Sequence, residues 1–292
     1  MTASDPSTGM GPGRGAYPPA PEPLPVPVTD SHCHLDMVMD PDRDGDGLAV
    51  DTALDAARSV GVTQVVQVGC DVAGAQWAVD VARRHPSVVA AVALHPNEAP
   101  RLHARGQLDD AFATIEGLAA DPRVRAVGET GLDHYRTAPD GRAAQEESFR
   151  QHIDLAKRLG KALVIHDRDA HDDVLRVLDS EGAPEHVVFH CFSGDADMAR
   201  RCVASGWVLS FAGTVTFKNA QGLRDALAVT PVDQLLVETD APYLAPVPFR
   251  GRPNASYLVP VTVRAMATTL GVPVEAVAEA TARTTSQVFG TW

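Results

Sequence analysis

The run Val28-Thr29-Asp30-Ser31-His32-Cys33-His34-Leu35-Asp36 reads as a short buried strand that ends in polar residues. His32 and His34 are two apart, and in a strand residues i and i+2 point to the same face. Both imidazoles therefore aim at one point, with Cys33 turned the other way. Neutral imidazole is a common ligand for zinc and other divalent metals. Taken alone, His-x-His fits equally well a pair of hydrogen-bonded histidines closing a strand. What decides between the two is the set of residues that closes the other strands.

Outward from this run the chain alternates. Apolar, β-branched runs fall at 62–69, 88–94, 124–127, 162–165, 187–189, 207–211 and 235–237. Segments of helical period follow at 48–60, 75–84, 107–119, 142–159, 171–178, 196–204 and 220–228, and 258–270 and 274–288 close the chain. Strand–helix units spaced by roughly 30 residues are the mark of βαβ repeats. Continuous apolar strands with intervening helices imply a parallel sheet covered on its other side. Eight such units predict an α/β fold closed into a (β/α)8 TIM barrel. A doubly wound sheet would carry a Gly-rich loop after its first strand, where this chain has His-x-His.

The 292 residues suit a single barrel of ~250 residues, so 28–292 is expected to be one domain. Residues 1–27, rich in Pro, Gly, Ala and Ser, are expected to be a disordered tail. A loop, Asp42-x-Asp44-x-Asp46-Gly47, has the spacing of a calcium loop, but Thr52 holds the place of its closing Glu, and it reads as a solvated loop. Hydrophobic residues make up 45%, enough for a full core. There is no apolar run of ~18 residues and no secretory signal pattern, so no membrane association is expected. Cys33, Cys70, Cys191 and Cys202 include no Cys-x-x-Cys pair and read as reduced, mostly buried thiols of a cytoplasmic protein. A net charge of −13 argues against a static DNA- or RNA-binding module, which is normally basic. It argues much less against an enzyme that touches a few phosphates beside bound divalent ions.

In such a barrel the active site lies at the C-terminal ends of the strands. Strand one ends in His32 and His34, strand four in Glu129, strand five in His166, strand six in His190 and strand eight in Asp240. Polar groups that directly follow apolar strand cores cost stability unless they have partners, and a shared metal centre supplies them. Each also has an ordinary alternative. His32 and His34 close the first strand by hydrogen bonds, Glu129 pairs with Arg136 or Arg168, His166 and His190 are satisfied core histidines, and Asp240 caps the turn into Ala241-Pro242. That all coincide at the ends of five strands favours the metal reading. Six ligands suggest two ions with one bridging carboxylate, for which Glu129 is the best placed. Mixed His and carboxylate ligands suit Zn²⁺, Mn²⁺ or Fe²⁺, and Mg²⁺ less naturally. Asp240 is the expected general base for a water made acidic by the ions.

Several motifs stand in order on most strands: Ser31-His32-Cys33-His34-Leu35-Asp36, Leu94-His95-Pro96, Gly128-Glu129-Thr130-Gly131-Leu132-Asp133, His166-Asp167-Arg168-Asp169-Ala170, His190-Cys191-Phe192-Ser193-Gly194 and Val237-Glu238-Thr239-Asp240-Ala241-Pro242-Tyr243-Leu244-Ala245-Pro246. Together they resemble the signatures of the TatD family, over roughly residues 28–290. The resemblance implies a TIM barrel of the amidohydrolase-like metal-dependent hydrolases. It implies a metal-dependent deoxyribonuclease, often a 3′→5′ exonuclease on single strands. It also implies that His32, His34, Glu129, His166, His190 and Asp240 bind two divalent ions with Glu129 shared. Mg²⁺ is often used with the family, so Zn²⁺, Mg²⁺ and Mn²⁺ all stay open. Some relatives act on aminoacyl-tRNA esters. Two stretches depart from the family pattern: 250–257, where Arg-Asn-Glu-Pro is common, and 284–289 near the end of the chain.

Phosphodiester cleavage needs positive groups for the flanking phosphates. Arg136, Arg168, Lys218 and Arg252 follow strands on the expected site face, though each is also readable as a surface charge. His95 ends strand three and is expected to contact substrate, and Asp133 to orient a ligand or a phosphate-binding arginine. Phe192, Phe217 or Tyr243 would stack a base, or pack against the loops. Three functions follow: a two-metal phosphodiesterase taking DNA 3′ ends as transient substrate, an amide or ester hydrolase such as an aminoacyl-tRNA deacylase, and a metal-binding scaffold without turnover. No obligate protein partner is expected.

Overall fold

The computed structural model describes residues 15–38 and 48–292, and the calcium-like loop at 42–47 lies outside the described residues. Eight strands lie in one sheet in sequence order: β1 (Val28–Cys33), β2 (Val62–Gly69), β3 (Val88–Val92), β4 (Val124–Asp133), β5 (Ala162–Arg168), β6 (Val187–Phe189), β7 (Val208–Phe211) and β8 (Leu235–Val237). Helices alternate with them: α1 (Leu35–Val38), α2 (Val50–Ser59), α3 (Val72–Arg84), α4 (Ala99–Ala104), α5 (Leu108–Ala119), α6 (Arg142–Leu159), α7 (His171–Glu181), α8 (Ala196–Ala204), α9 (Gln221–Val229), α10 (Val259–Leu270) and α11 (Val274–Phe289). The β3–β4, β4–β5, β5–β6 and β7–β8 ladders are parallel. Past β8, Ala241 bridges Cys33 in parallel, Asp240 N donates to His32 O at 2.9 Å, and His34 N donates to Ala241 O at 2.8 Å. This is the (β/α)8 fold that the alternation predicts. Among the described residues no single helix is long and apolar enough to cross a membrane. No disulfide joins the four cysteines.

One strand is longer than its apolar run. Hydrophobicity ends at Val127, but β4 continues to Asp133, pairing Thr130 with Ile165, Gly131 with His166, Leu132 with Asp167 and Asp133 with Arg168. The register shifts between Val127 and Thr130, and the Gly128–Glu129 peptide in that shift is cis. Gly131 is required there: its φ is +138°, and a Cβ would lie 2.1 Å from His166 O. The apolar-run criterion missed the extension because its residues are small or polar while its hydrogen bonds come from β5.

Contacts divide the chain into two compact units: Met1–Val66 with Cys191–Gln287, and Gln67–His190 with Val288–Trp292. In the second unit, α6 buries Ala144, Ser148, Phe149, His152, Ile153 and Ala156, a stripe at spacings of three and four. It stops at Gly160 in the left-handed conformation, with Lys157 and Arg158 in its last turn. His152 is fully buried; its Nδ1 donates to Ser148 O at 2.6 Å and its Nε2 accepts from Leu94 N at 3.1 Å. That bond fixes the backbone one residue before His95.

In the first unit, the expectation of a disordered tail through residue 27 fails for the part described. Residues 16–24 are held down mostly through their carbonyls. Arg252 donates to Ala16 O at 3.1 Å and Tyr17 O at 2.9 Å, and Tyr257 Oη donates to Pro18 O at 2.6 Å. Arg264 Nη2 donates to Glu22 O at 2.9 Å and Pro23 O at 3.1 Å. Leu24 is buried and its N–H reaches Val60 O at 3.0 Å. The composition lacks the apolar surface for a core, and the rest of the unit supplies the donors instead.

Burial holds the His152 imidazole down at about 4, against 6.5 in the open chain, the hydrogen bond to Ser148 only partly opposing it. Between those values the unfolded chain binds the extra proton, so this contribution to stability is full above about pH 6.5 and is lost as pH falls towards 4. His152→Gln keeps an acceptor for Leu94 N without titrating. Unfolding free energies from urea titration are expected to drop less between pH 7 and pH 4.5 in the variant than in the wild type, by a difference of about 2–3 kcal/mol. Equal slopes would show that the buried imidazole does not govern the acid limb.

Candidate metal centre

Within Gln67–His190, strand ends converge on one carboxylate. Glu129 on β4 is 3% exposed. Its Oε1 lies 2.5 Å from His166 Nδ1, 2.8 Å from His190 Nε2 and 3.4 Å from His95 Nε2. Cys70 Sγ, just past β2, approaches Oε2 at 3.5 Å. The His95 and His166 rings meet edge to face, 4.6 Å between centroids. Asp133, at the end of β4, faces the other nitrogen of His166 at 3.4 Å and accepts from Asn97 Nδ2 at 3.0 Å and Arg136 N at 2.8 Å.

Burial opposes charge on Glu129, His166 and Asp133, and the neighbours decide the outcome. For Glu129, burial raises the pKa, but the charge of His190 and the hydrogen bonds from His166 and His190 hold it well below the usual carboxylate value. Burial would lower His166, yet Asp133 and Glu129 on its two nitrogens push it up to about 9. Burial likewise opposes ionisation of Asp133, and the bonds from His166, Arg136 and Asn97 hold it below the ordinary range.

The donor set fits a divalent ion. Three imidazole nitrogens crowd one oxygen, which has two lone pairs to offer to hydrogen-bond donors. Nitrogen and oxygen atoms of His95, Glu129 and His166 all lie within 4.8 Å of one another. Such a mixed set suits zinc and its first-row neighbours.

The first unit carries a second cluster. Asp240 Oδ1 lies 3.4 Å from His34 Nε2 and 3.8 Å from His32 Nε2, and the two rings stand 5.1 Å apart. Both histidines are buried, and the Asp240 side chain is 16% exposed. Its backbone sits at φ +52°, an uncommon conformation for a non-glycine residue. The flanking hydrogen bonds show what holds it. Asp30, fully buried on β1, accepts from Thr239 N at 2.9 Å and from Thr239 Oγ1 at 2.6 Å. Thr239 Oγ1 accepts from Ala241 N at 3.1 Å, and Asn254 Nδ2 donates to Thr239 O at 3.0 Å. Burial pushes the Asp30 carboxyl up to about 7 against the pull of the Thr239 and Ser256 bonds.

Of the six sequence-predicted ligands, the structure gathers His32, His34 and Asp240 in one cluster, and Glu129, His166 and His190 in the other. His95 and Asp133, expected at substrate, stand among the second set. Arg136 and Lys218 are exposed, and Arg168 lies over the Tyr135 ring, 4.1 Å from its centroid. Arg252 is engaged with Ala16 and Tyr17. Phe192 and Phe217 are buried, and Tyr243 turns its hydroxyl to Met37 Sδ at 3.4 Å, with its ring edge-on to His34. Sequence reasoning gave no role to Asn97, Asp30 or Asn254. A carboxylate inside a buried strand was the available signal for Asp30; the two asparagines offered none.

The chain matches the TatD related DNase family model over residues 29–290. It is 50% identical over 245 residues to the uncharacterized metal-dependent hydrolase TatD of Mycobacterium tuberculosis, covering 82% of this chain and 91% of that one. It is 35% identical over 243 residues to the uncharacterized metal-dependent hydrolase YabD of Bacillus subtilis, covering 82% and 92%. Among solved structures it resembles YjjV, a TatD homologue from Escherichia coli, with a TM-score of 0.79, 27% identity, and 90% and 97% of the two chains covered.

Thr239→Val leaves Asp30 Oδ2 without its hydroxyl donor and is expected to cost about 1–3 kcal/mol. Thr239→Ser is expected to restore most of it. Denaturant unfolding of the three proteins reads this directly, and a Val variant as stable as the wild type would show that the bond does not hold the turn.

Proposed function

The chain belongs to the TatD family of metal-dependent hydrolases, and we propose that it is a deoxyribonuclease trimming single-stranded DNA from its 3′ end. The observation that carries this reading is the buried Glu129 carboxylate with imidazoles from β5 and from just past β3 and β6 converging on it. His32, His34, Glu129, His166, His190 and Asp240 would hold two divalent ions. Zn²⁺ or Mn²⁺ suits these donors better than Mg²⁺. When bound, such ions polarise a phosphoryl oxygen and acidify water to near neutral pH.

The chain's own groups do the rest. Asp240, with 16% of its side chain exposed, takes the proton of the attacking water at Oδ1. Asp133 keeps His166 in one orientation, as a carboxylate behind a ligating imidazole does. The neutral imidazole of His95, its pKa lowered by burial, faces the scissile group. Arg136 and Arg168, three and two residues beyond Asp133 and His166, supply positive charge for the phosphates on either side. Lys218 adds a further exposed cation after β7. A protein of net charge −13 relies on such local positive groups, since its mean field repels nucleic acid.

The test uses 5′-labelled single-stranded DNA with chelated protein, protein restored with Mn²⁺, Zn²⁺ or Mg²⁺, and an Asp240→Asn variant. Stepwise shortening from the 3′ end is expected only in the restored wild type. The variant is expected to lose about 100-fold or more in kcat. Metal analysis of Glu129→Gln is expected to show fewer ions bound than in the wild type. Hydrolysis of an aminoacyl ester with intact DNA would replace the nuclease with an ester hydrolase on the same residues. Full metal content with neither activity would leave a binding scaffold.

A further inference from the structure

We propose that Tyr135 and Arg168 form a nucleobase platform beside the Glu129 cluster, taking an unpaired base of a single strand on the open face of the tyrosine ring. This deepens the DNA reading above and rests on it. Tyr135 is 50% exposed; among the described residues the other exposed large apolar side chains are the aliphatic Val232 and Val247. Of the aromatics that motif order singled out, Phe192 and Phe217 cannot serve, being 2% and 0% exposed, and Tyr243 is half-buried, with its ring edge-on to His34 and its hydroxyl on Met37 Sδ.

The pair sits where a substrate passes. Tyr135 is two residues beyond Asp133, and Arg168 two beyond His166; those two site residues meet at 3.4 Å. Two residues span at most about 7 Å of chain. Asp133 pairs with Arg168 in the β4–β5 ladder, and His134 N donates to Arg168 O at 2.9 Å. The Arg168 guanidinium lies 4.1 Å from the centroid of the Tyr135 ring, covering one face. A stacked base adds to the other face, with the cation strengthening the stack and attracting the adjoining phosphate.

The support is rigid. Arg136 N donates to Asp133 Oδ1 at 2.8 Å, Thr137 N to Asp133 O at 3.2 Å, and Gln145 Nε2 to Thr137 Oγ1 at 2.7 Å. The turn carrying the ring is therefore ordered before anything binds, which lowers the entropy cost of stacking. The neighbouring His134 has a carboxylate of its own, Asp173, 3.7 Å from its Nδ1.

The experiment compares wild type, Tyr135→Ala and Tyr135→Phe, all loaded with Mn²⁺, on oligothymidylate and on bis(p-nitrophenyl) phosphate, which has no base to stack. Binding of the labelled oligonucleotide is read separately by fluorescence anisotropy in an Asp240→Asn background. Tyr135→Ala is expected to raise KM for the oligonucleotide and weaken its binding by about tenfold, with turnover of the small diester unchanged. Tyr135→Phe is expected to stay within about twofold of wild type, since it keeps the stacking face. Unchanged KM and binding in Tyr135→Ala, with DNA still cleaved, would overturn the platform and leave the nuclease standing. Binding lost in Tyr135→Ala while the wild type cleaves no DNA would overturn the nuclease and keep the platform. No oligonucleotide binding by any of the proteins would overturn both.

Discussion

A carboxylate kept ionised at 3% exposure must find positive or proton-donating partners at contact distance, because its desolvation costs several kcal/mol. Glu129 imposes that requirement on everything around it. β4 has to run past its apolar stretch so that Glu129 and Asp133 face the neighbouring strands. Gly131 has to lack a side chain so that the backbone of His166 can come close. Asn97 and Arg136 N each take one oxygen of Asp133 and hold the carboxylate in place, with Oδ2 facing His166. Deeper still, His152 pins Leu94 and with it the start of the His95 turn. Each of these is an ordinary packing or hydrogen-bond choice, and together they aim three imidazoles at one oxygen.

The turn carrying Asp240 answers a different demand. A left-handed aspartate is strained, so the chain around it has to be over-determined. Asp30 takes both the N–H and the hydroxyl of Thr239, and Asn254 takes its carbonyl. Asn254 lies in a stretch that departs from the family pattern, and in this chain it supplies the donor to the Thr239 carbonyl.

Much of this was legible in the amino-acid pattern. Continuous apolar runs located all eight strands and period-3.6 segments most helices, because burial on a parallel sheet leaves near-continuous apolar stretches. His32, His34, Glu129, His166, His190 and Asp240 stood out since polar groups directly after such stretches need a reason. Long-range hydrogen bonding was not legible. The β4 extension is built of Gly, Thr and Asp and owes its form to β5. Arg252 looked like a phosphate contact because loop position says nothing of the carbonyls of Ala16 and Tyr17 lying 236 and 235 residues away in the chain. Phe192 and Phe217 looked available because exposure of a loop aromatic depends on what folds over it.

The segment from Ala16 to Leu24 is gripped mainly by its carbonyl oxygens, through Arg252, Tyr257 and Arg264. Its prolines at 18, 19, 21 and 23 have no amide hydrogen to satisfy and keep the backbone extended. Every residue type carries the same carbonyl, so most of the path of this segment is specified by its backbone, with the Leu24 side chain buried and the Tyr17 hydroxyl donating to Val38 O at 3.3 Å as the side-chain anchors. Evolution is thereby given an uneven licence: between those anchors the segment can drift in spelling, while three distant donors must be kept.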